Sequence, residues 1–355
     1  MAENPLPPAS TRARRHLAAA YVLLILYASL SPFTGWRDQG LTFTEVLAAP
    51  LWLTYTPVDA LINVFAYMPL GALLVLSLLR CFGRASSVLL AALAGMLLSA
   101  AMEYAQMYLP ARTSSNLDIL TNTAGTLAGA VIGARIAGSA WFATLTRWRH
   151  DLMRHDAGVD FGLALAALWM FAQINPSLPM LGNIFINEPE RAPFQPAHTE
   201  PFAWLASVAS ALNLLMVGCL YMTLLRQRRH ALVAVVLTMS LVGVSKFLAA
   251  AILFKSWALL LWLNGESMLG ILAGLAALVV VARMTNRLLS GSAALAALGY
   301  LVLGMGVPDA GVPPGLAHLY YWREGHFMTY NGLSHFILLL FPLLLLGYLW
   351  RTRKW

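Results

Sequence analysis

Ten stretches of about 20 residues, each almost free of charged side chains, follow one another along this chain. A helix of that length crosses a bilayer with every backbone hydrogen bond made internally, whereas irregular backbone would leave polar groups facing lipid. The sequence therefore predicts an all-α, polytopic transmembrane helical bundle. The predicted spans are residues 17–33, 58–79, 86–109, 117–137, 158–178, 203–225, 231–254, 264–282, 290–307 and 332–350.

The composition excludes a soluble domain with a single membrane anchor. Only 11% of the 355 residues are charged, and the mean hydropathy is +0.70. Soluble domains are about 25% charged. The net charge of +8 would suggest a nucleic-acid partner in a soluble protein. We expect no such partner here, because the basic residues are concentrated in the segments between the predicted spans, and the partner is the lipid bilayer.

The basic residues also predict the topology. Most of the 23 Lys and Arg residues lie on one side of the membrane if the N-terminus is cytoplasmic, and this asymmetry places both termini in the cytoplasm. Four segments follow from this topology. They are a cytoplasmic tail at 1–16, a four-helix membrane domain at 17–137, a cytoplasmic linker at 138–157 and a six-helix membrane region at 158–355. One interpretation of the last region is a degenerate repeat of the four-helix domain.

Polar pairs interrupt three successive apolar segments: Asp59 with Asn63, Glu103 with Gln106, and Asp118 with Asn122. The members of each pair are three or four residues apart, so they share one helical face. Ionisable groups inside membrane spans are costly and mark functional sites. The predicted topology brings all three pairs to the outer side, with Arg112 in the loop between two of them. We therefore predict an acidic pocket that opens outward.

Small residues continue the faces that carry these polar groups. Ala91, Gly95 and Ser99 precede Glu103 at intervals of four residues, and glycines follow Asn122 at positions 125, 129 and 133. Stripes of small residues are typical of close contact between membrane helices. We therefore expect the acids to face neighbouring helices and not lipid.

Taken together, these positions resemble the VanZ-like family of bacterial membrane proteins over about residues 17–137. The residues that carry the resemblance are Ser31, Pro32, Asp59, Asn63, Pro69, Leu70, Gly71, Glu103, Gln106, Arg112, Asp118, Asn122, Gly125 and Gly129. The resemblance implies a helical domain in the bacterial inner membrane, with a role in the cell envelope and a family link to low-level teicoplanin resistance. It does not identify a biochemical activity, and residues 158–355 lie outside it.

Three functions remain open for the polar site. The first is binding of a polar lipid, a lipid-linked glycan such as a cell-wall precursor, or a glycan headgroup. The charged contacts would then come from Asp59, Glu103, Arg112 and Asp118, and the orienting contacts from Asn63, Gln106 and Asn122.

The second function is a membrane enzyme that acts on a lipid-linked envelope or exopolysaccharide precursor. Its catalytic residues are unknown, and Glu103 is the best candidate for an acid or base. The third is an assembly scaffold whose polar pairs only lock helices together, with Asp59 and Asp118 as helix caps. The three alternatives are thus a binding protein, an enzyme and a structural protein.

The remaining polar residues predict neither a metal nor a cofactor. The histidines lack a compact metal-binding spacing, as in His318, His326 and His335. Lys246 lies deep inside a predicted span, where an unpaired charge is costly. We predict an ion pair between Lys246 and either Glu266 or Glu103.

Overall fold

The computed structural model describes residues 11–31, 33–51, 57–156, 158–182, 204–253, 259–305 and 325–352. Within these ranges the chain forms helices and no strand beyond one isolated bridge. The helices are α1 (Thr11–Leu30), α2 (Phe43–Ala48), α3 (Pro57–Leu78), α4 (Arg84–Gln106), α5 (Asn116–Ala137), α6 (Ala140–Leu152), α7 (Val159–Gln173), α8 (Trp204–Leu224), α9 (Arg229–Leu253), α10 (Gly265–Val281), α11 (Asn286–Met305) and α12 (Gly325–Arg351).

Each predicted span overlaps one of these helices. Six are long and apolar enough to cross a membrane alone, namely α3, α4, α8, α9, α11 and α12. A seventh candidate combines α5 with α6, which meet at an angle of 74°. The apolar segments of α1, α7 and α10 are shorter. The all-helical, multi-pass fold class is therefore confirmed, while the number of spans and the location of the termini stay predictions.

The chain divides into two compact units, Met1–Asp151 and Leu152–Trp355. In the first unit α3 packs most extensively on α5, and in the second α8 packs most extensively on α10. Among the predicted membrane helices of each unit, the second and the fourth are thus the main partners. A four-helix repeat would produce this pairing in both units, but the repeat itself stays a prediction.

Glycine allows α3 and α5 to meet backbone to backbone. A Cβ atom at Gly71 would lie 1.9 Å from the carbonyl oxygen of Thr126, and one at Gly129 would lie 1.9 Å from that of Met68. A Cβ atom at Gly125 would lie 2.2 Å from a carbonyl oxygen of α3. No side chain fits at such distances, so the small-residue stripe predicted on α5 is its contact surface with α3.

The first turn of α5 is held in place by its neighbours in the chain and by the loop that contains α2. The Ser115 side chain caps the helix by accepting a hydrogen bond from the Leu117 backbone N–H at 3.2 Å. The Asn116 side chain donates to the carbonyl oxygens of Leu47 and Ala49 at 3.1 and 2.6 Å. These contacts fix the position of the polar residues that follow on α5.

In the second unit, the segment after α7 is buried although it is not helical. The span predicted at 158–178 stays helical only to Gln173, because the residue before a proline disfavours helical geometry and Asn175 precedes Pro176. Residues 175–182 are nevertheless all buried. Buried backbone needs hydrogen-bond partners, which here include side chains from neighbouring helices.

One of those partners is Lys246 on α9. Its Nζ donates to the carbonyl oxygens of Asn175 and Leu178 at 2.6 and 2.9 Å. The ion pair predicted between Lys246 and Glu266 or Glu103 is therefore wrong. The physical reason is that the segment after α7 is buried without being helical, and the ammonium group supplies donors to its carbonyl oxygens.

Helix α6 lies in the segment predicted to be a linker, and it exposes its large apolar side chains as one stripe. Trp141, Leu145, Trp148 and Leu152 follow one another at intervals of four, three and four residues, and Trp141 and Trp148 are 63% and 60% exposed. Basic residues accompany the stripe, including Arg149 in the last turn. An exposed apolar stripe with tryptophan and arginine is typical of a helix that lies in the membrane interface.

We expect α6 to lie in the membrane–water interface with this stripe towards the acyl chains. In a Cys81→Ser background, a polarity-sensitive fluorophore attached after Trp148→Cys should show blue-shifted emission in lipid nanodiscs. The same fluorophore attached after Arg147→Cys should emit at the longer wavelength that is typical of an aqueous environment. Equal emission at the two positions would show that the stripe does not meet lipid.

Candidate functional site

The described site residues lie at one end of the first unit, where α1 and α4 end and α3 and α5 begin. They are Asn63, Glu103, Gln106, Arg112, Asp118 and Asn122. Asp59 belongs to the first turn of α3, but its side chain lies outside the described part of the structure. The site is therefore described without one of its three predicted acids.

Asp118 connects α5 to α3. Its Oδ1 accepts a hydrogen bond from Asn63 Nδ2 at 2.8 Å. The carboxylate is half-buried. Asp118 and Asn63 were predicted to belong to two different pairs, but they bind each other. Their hydrogen bond connects two helices and does not run along one helix.

Glu103 holds the loop that leads into α5. The side chain is 3% exposed, and its Oε2 accepts from the Ser115 backbone N–H at 2.8 Å. The Ser114 hydroxyl donates to the Glu103 carbonyl oxygen at 2.8 Å. Since Ser115 and Asp118 are close in the sequence, the carboxyl groups of Glu103 and Asp118 both lie at the start of α5.

A second polar layer lies about one helical turn deeper. Asn122 Nδ2 donates to the Ser99 hydroxyl at 2.9 Å, and Ser99 also interacts with the Tyr67 hydroxyl. All three residues are buried. Sequence reasoning missed Ser99 and Tyr67 as members of the site. The position of Ser99 on the small-residue stripe, four residues before Glu103, was the signal that pointed to it.

Arg112 and Gln106 bind the C-terminal end of α1. Arg112 donates from Nε to the Ser31 carbonyl oxygen at 2.9 Å and from Nη2 to that of Ala28 at 3.0 Å. Gln106 Nε2 donates to the Ser29 carbonyl oxygen at 2.9 Å. Helix ends leave such carbonyl groups without helical partners, so both side chains cap α1. Burial lowers the pKa of Arg112 below its ordinary value.

Residues 7–137 match the family model VanZ/LLP1. This part of the chain is similar to the VanZ/LLP1 family. The resemblance read from the residues is thereby confirmed, and the match ends at the last residue of α5. The remaining helices form an additional apolar region, as expected. No curated protein and no solved structure matches the chain significantly.

Among the described residues, the polar end of the VanZ/LLP1 region contains buried acceptors that have no donor. Gln106 Oε1 and Asn122 Oδ1 are buried and have no hydrogen-bond partner among the described residues. The orientation of the Gln106 amide is fixed, because a backbone carbonyl accepts only from its nitrogen. The carboxylates of Glu103 and Asp118 add further acceptors. Such a site is suited to a group that brings its own N–H or O–H donors.

Proposed function

We propose that the VanZ/LLP1 region binds the polar headgroup of a membrane lipid or of a lipid-linked glycan at the start of α5. The observation that carries this proposal is the excess of acceptors formed by Glu103, Asp118 and the unpartnered Gln106 carbonyl oxygen. Sugar hydroxyls and ammonium groups supply the missing donors, and burial makes each unmade hydrogen bond costly. The family link to teicoplanin resistance fits a ligand of the cell envelope, and that role is part of the proposal.

The depth of the site supports a headgroup ligand. The acids lie at the ends of α4 and α5, which are candidate membrane helices, and helix ends reach the headgroup level of a bilayer. Glu103 is almost fully buried, whereas Asp118 is half-buried. A headgroup that enters beside Asp118 therefore meets an outer acid first and an inner acid next. The predicted topology places this end on the outer face of an inner membrane.

A second candidate function is favoured by the same hydrogen bonds. The amide groups of Asn63, Gln106 and Asn122 each donate to another element of the bundle. A scaffold that uses its polar residues only to lock helices needs nothing more. An enzyme that uses Glu103 as acid or base remains the third alternative.

The double variant Glu103→Gln, Asp118→Asn separates these functions. Glutamine and asparagine keep an oxygen that accepts from Ser115 and Asn63, so we expect a folded protein that has lost both acids. Native mass spectrometry should show phosphatidylethanolamine or an undecaprenyl-linked disaccharide retained by the wild type. Retention should fall at least about tenfold in the double variant, which corresponds to about 1.4 kcal/mol.

The matched control is Asp151→Asn, which removes an acid that is 72% exposed and distant in sequence from the site. This variant should retain the probes as the wild type does. Undiminished retention by the double variant would overturn the proposed site. Loss of folding in the double variant would support the scaffold. A change in the mass of the glycan probe with wild type, but not with Glu103→Gln, would identify an enzyme.

A further inference from the structure

The second unit contains a buried cation that the proposed function does not use. Lys246 is 0% exposed, and its Nζ donates to two backbone carbonyl oxygens of the segment 175–182. An ammonium group has three N–H donors, so one is left over. Among the described residues, no carboxylate lies within salt-bridge distance of Lys246. Its positive charge is therefore not compensated within that part of the chain.

Gln173 supplies further unused donors beside the same segment. Its Oε1 accepts from the Leu181 backbone N–H at 3.1 Å, which fixes the orientation of the amide. Its Nε2 is buried and has no hydrogen-bond partner among the described residues. Gln173 is 0% exposed, so water at the protein surface cannot satisfy these N–H groups.

Three acceptors in and beside the segment already have donors among the described residues. Asn175 Oδ1 accepts from the Ser177 backbone N–H at 2.9 Å. The Leu181 carbonyl oxygen accepts from Asn213 Nδ2 at 3.1 Å, and Asn213 Oδ1 accepts from Trp169 Nε1 at 2.7 Å. Unused donors and a positive charge thus lie beside a segment that is held by several hydrogen bonds. This arrangement is the reverse of the VanZ/LLP1 site, where buried acceptors have no donor among the described residues.

We propose that Lys246 and Gln173 bind an oxyanion, a carboxylate or a phosphate group, against the buried segment 175–182. An oxyanion provides both the negative charge and the acceptor oxygens that the cluster lacks. Hydrogen bonds to the two carbonyl groups account for two N–H donors of Lys246. They do not account for its positive charge or for the Gln173 amide nitrogen, which has no partner among the described residues. Irregular backbone inside a membrane protein occurs where it is buried in protein or lines a site, as in the broken helices of transporters.

The proposal is tested by thermal unfolding of the purified full-length protein in phosphatidylcholine nanodiscs. Sodium phosphate and sodium acetate are compared with sodium chloride at equal ionic strength. We expect phosphate or acetate to raise the Tm of the wild type by about 3 °C or more relative to chloride. A second series replaces part of the phosphatidylcholine with phosphatidic acid. A response only in that series would assign the phosphate group to a lipid headgroup.

Two variants make the result specific. Lys246→Met should lose the response, and Gln173→Glu should lose it while raising the Tm in chloride, because the new carboxylate takes the place of the anion. That carboxylate can still accept from the Leu181 backbone N–H, so this second variant tests the proposal even if Lys246→Met fails to fold. Exposed Arg287, changed to Gln, is the control for general salt effects and should respond as the wild type does.

Three results would overturn the proposal. One is an equal response to phosphate, acetate and chloride in the wild type with no response to phosphatidic acid. Another is a full response that survives in Lys246→Met and Gln173→Glu. The third is a loss of stability in Gln173→Glu, because the proposed site places the new carboxylate against the Lys246 ammonium group.

Discussion

Gly129→Ala should destabilise the first unit by about 3 kcal/mol or more. The new Cβ would lie 1.9 Å from the Met68 carbonyl oxygen. That atom belongs to a helix backbone and cannot rotate away, so α3 and α5 must separate. Separation removes the closest helix contact in the unit and shifts the polar groups that both helices carry. Thermal unfolding in detergent or nanodiscs measures the loss.

Gly71→Ala tests the same interface from the opposite helix, because its Cβ would meet the Thr126 carbonyl oxygen at the same distance. Gly291→Ala on α11 is the matched control, since nothing lies within 4 Å of a Cβ there. Alanine is the better helix former, so this control should be neutral or stabilising by up to about 1 kcal/mol. If all three variants unfold alike, close backbone contact does not stabilise the α3–α5 pair.

Hydropathy was sufficient to predict the apolar helices, and small-residue spacing predicted the contact face of α5. Both signals are local properties of the chain, and the lipid environment leaves helices as the main solution. The glycines at 125 and 129 followed Asn122 at helical spacing, and they do form the contact surface of α5. Spacing gave the face of each helix but not its partner, because the partner depends on the register between helices distant in the sequence.

The hydrogen bonds of the site depended on that register and could not be predicted. Asn63 was expected with Asp59, four residues away, yet its described bond is to Asp118, 55 residues away. Glu103 likewise binds a backbone N–H of the loop before α5. A backbone group carries no sequence signature, so no pattern of residue types identifies it as a partner.

The partners of Lys246 were predicted wrongly for the same reason. A lysine inside an apolar span suggests a carboxylate partner, because charge pairing is the usual way to reduce its cost. Here the described partners are backbone carbonyl oxygens. In the sequence, the segment that supplies them has the pattern of a membrane-helix end followed by a proline-rich loop. The loss of helical structure after Gln173, with burial maintained, is a tertiary property.

Arg112→Met should destabilise the first unit by about 3 kcal/mol. The substitution removes two charged donors from the carbonyl oxygens of Ala28 and Ser31, and hydrogen bonds to charged groups contribute about 1.5–3 kcal/mol each. We expect α1 to detach at its C-terminal end. Thermal unfolding measures the loss, and faster proteolysis after α1 locates it.

Arg112→Lys distinguishes geometry from charge, because an ammonium group cannot reproduce the fork that reaches two carbonyl groups at once. We expect lysine to recover only part of the stability. Arg37→Ala is the control, since that arginine is exposed and its described hydrogen bond uses the backbone N–H. If Arg112→Met keeps its stability and loses only the lipid probes, Arg112 serves the headgroup and not α1. If it loses both, the headgroup site depends on the docking of α1, because the same loop connects Arg112 to the first turn of α5.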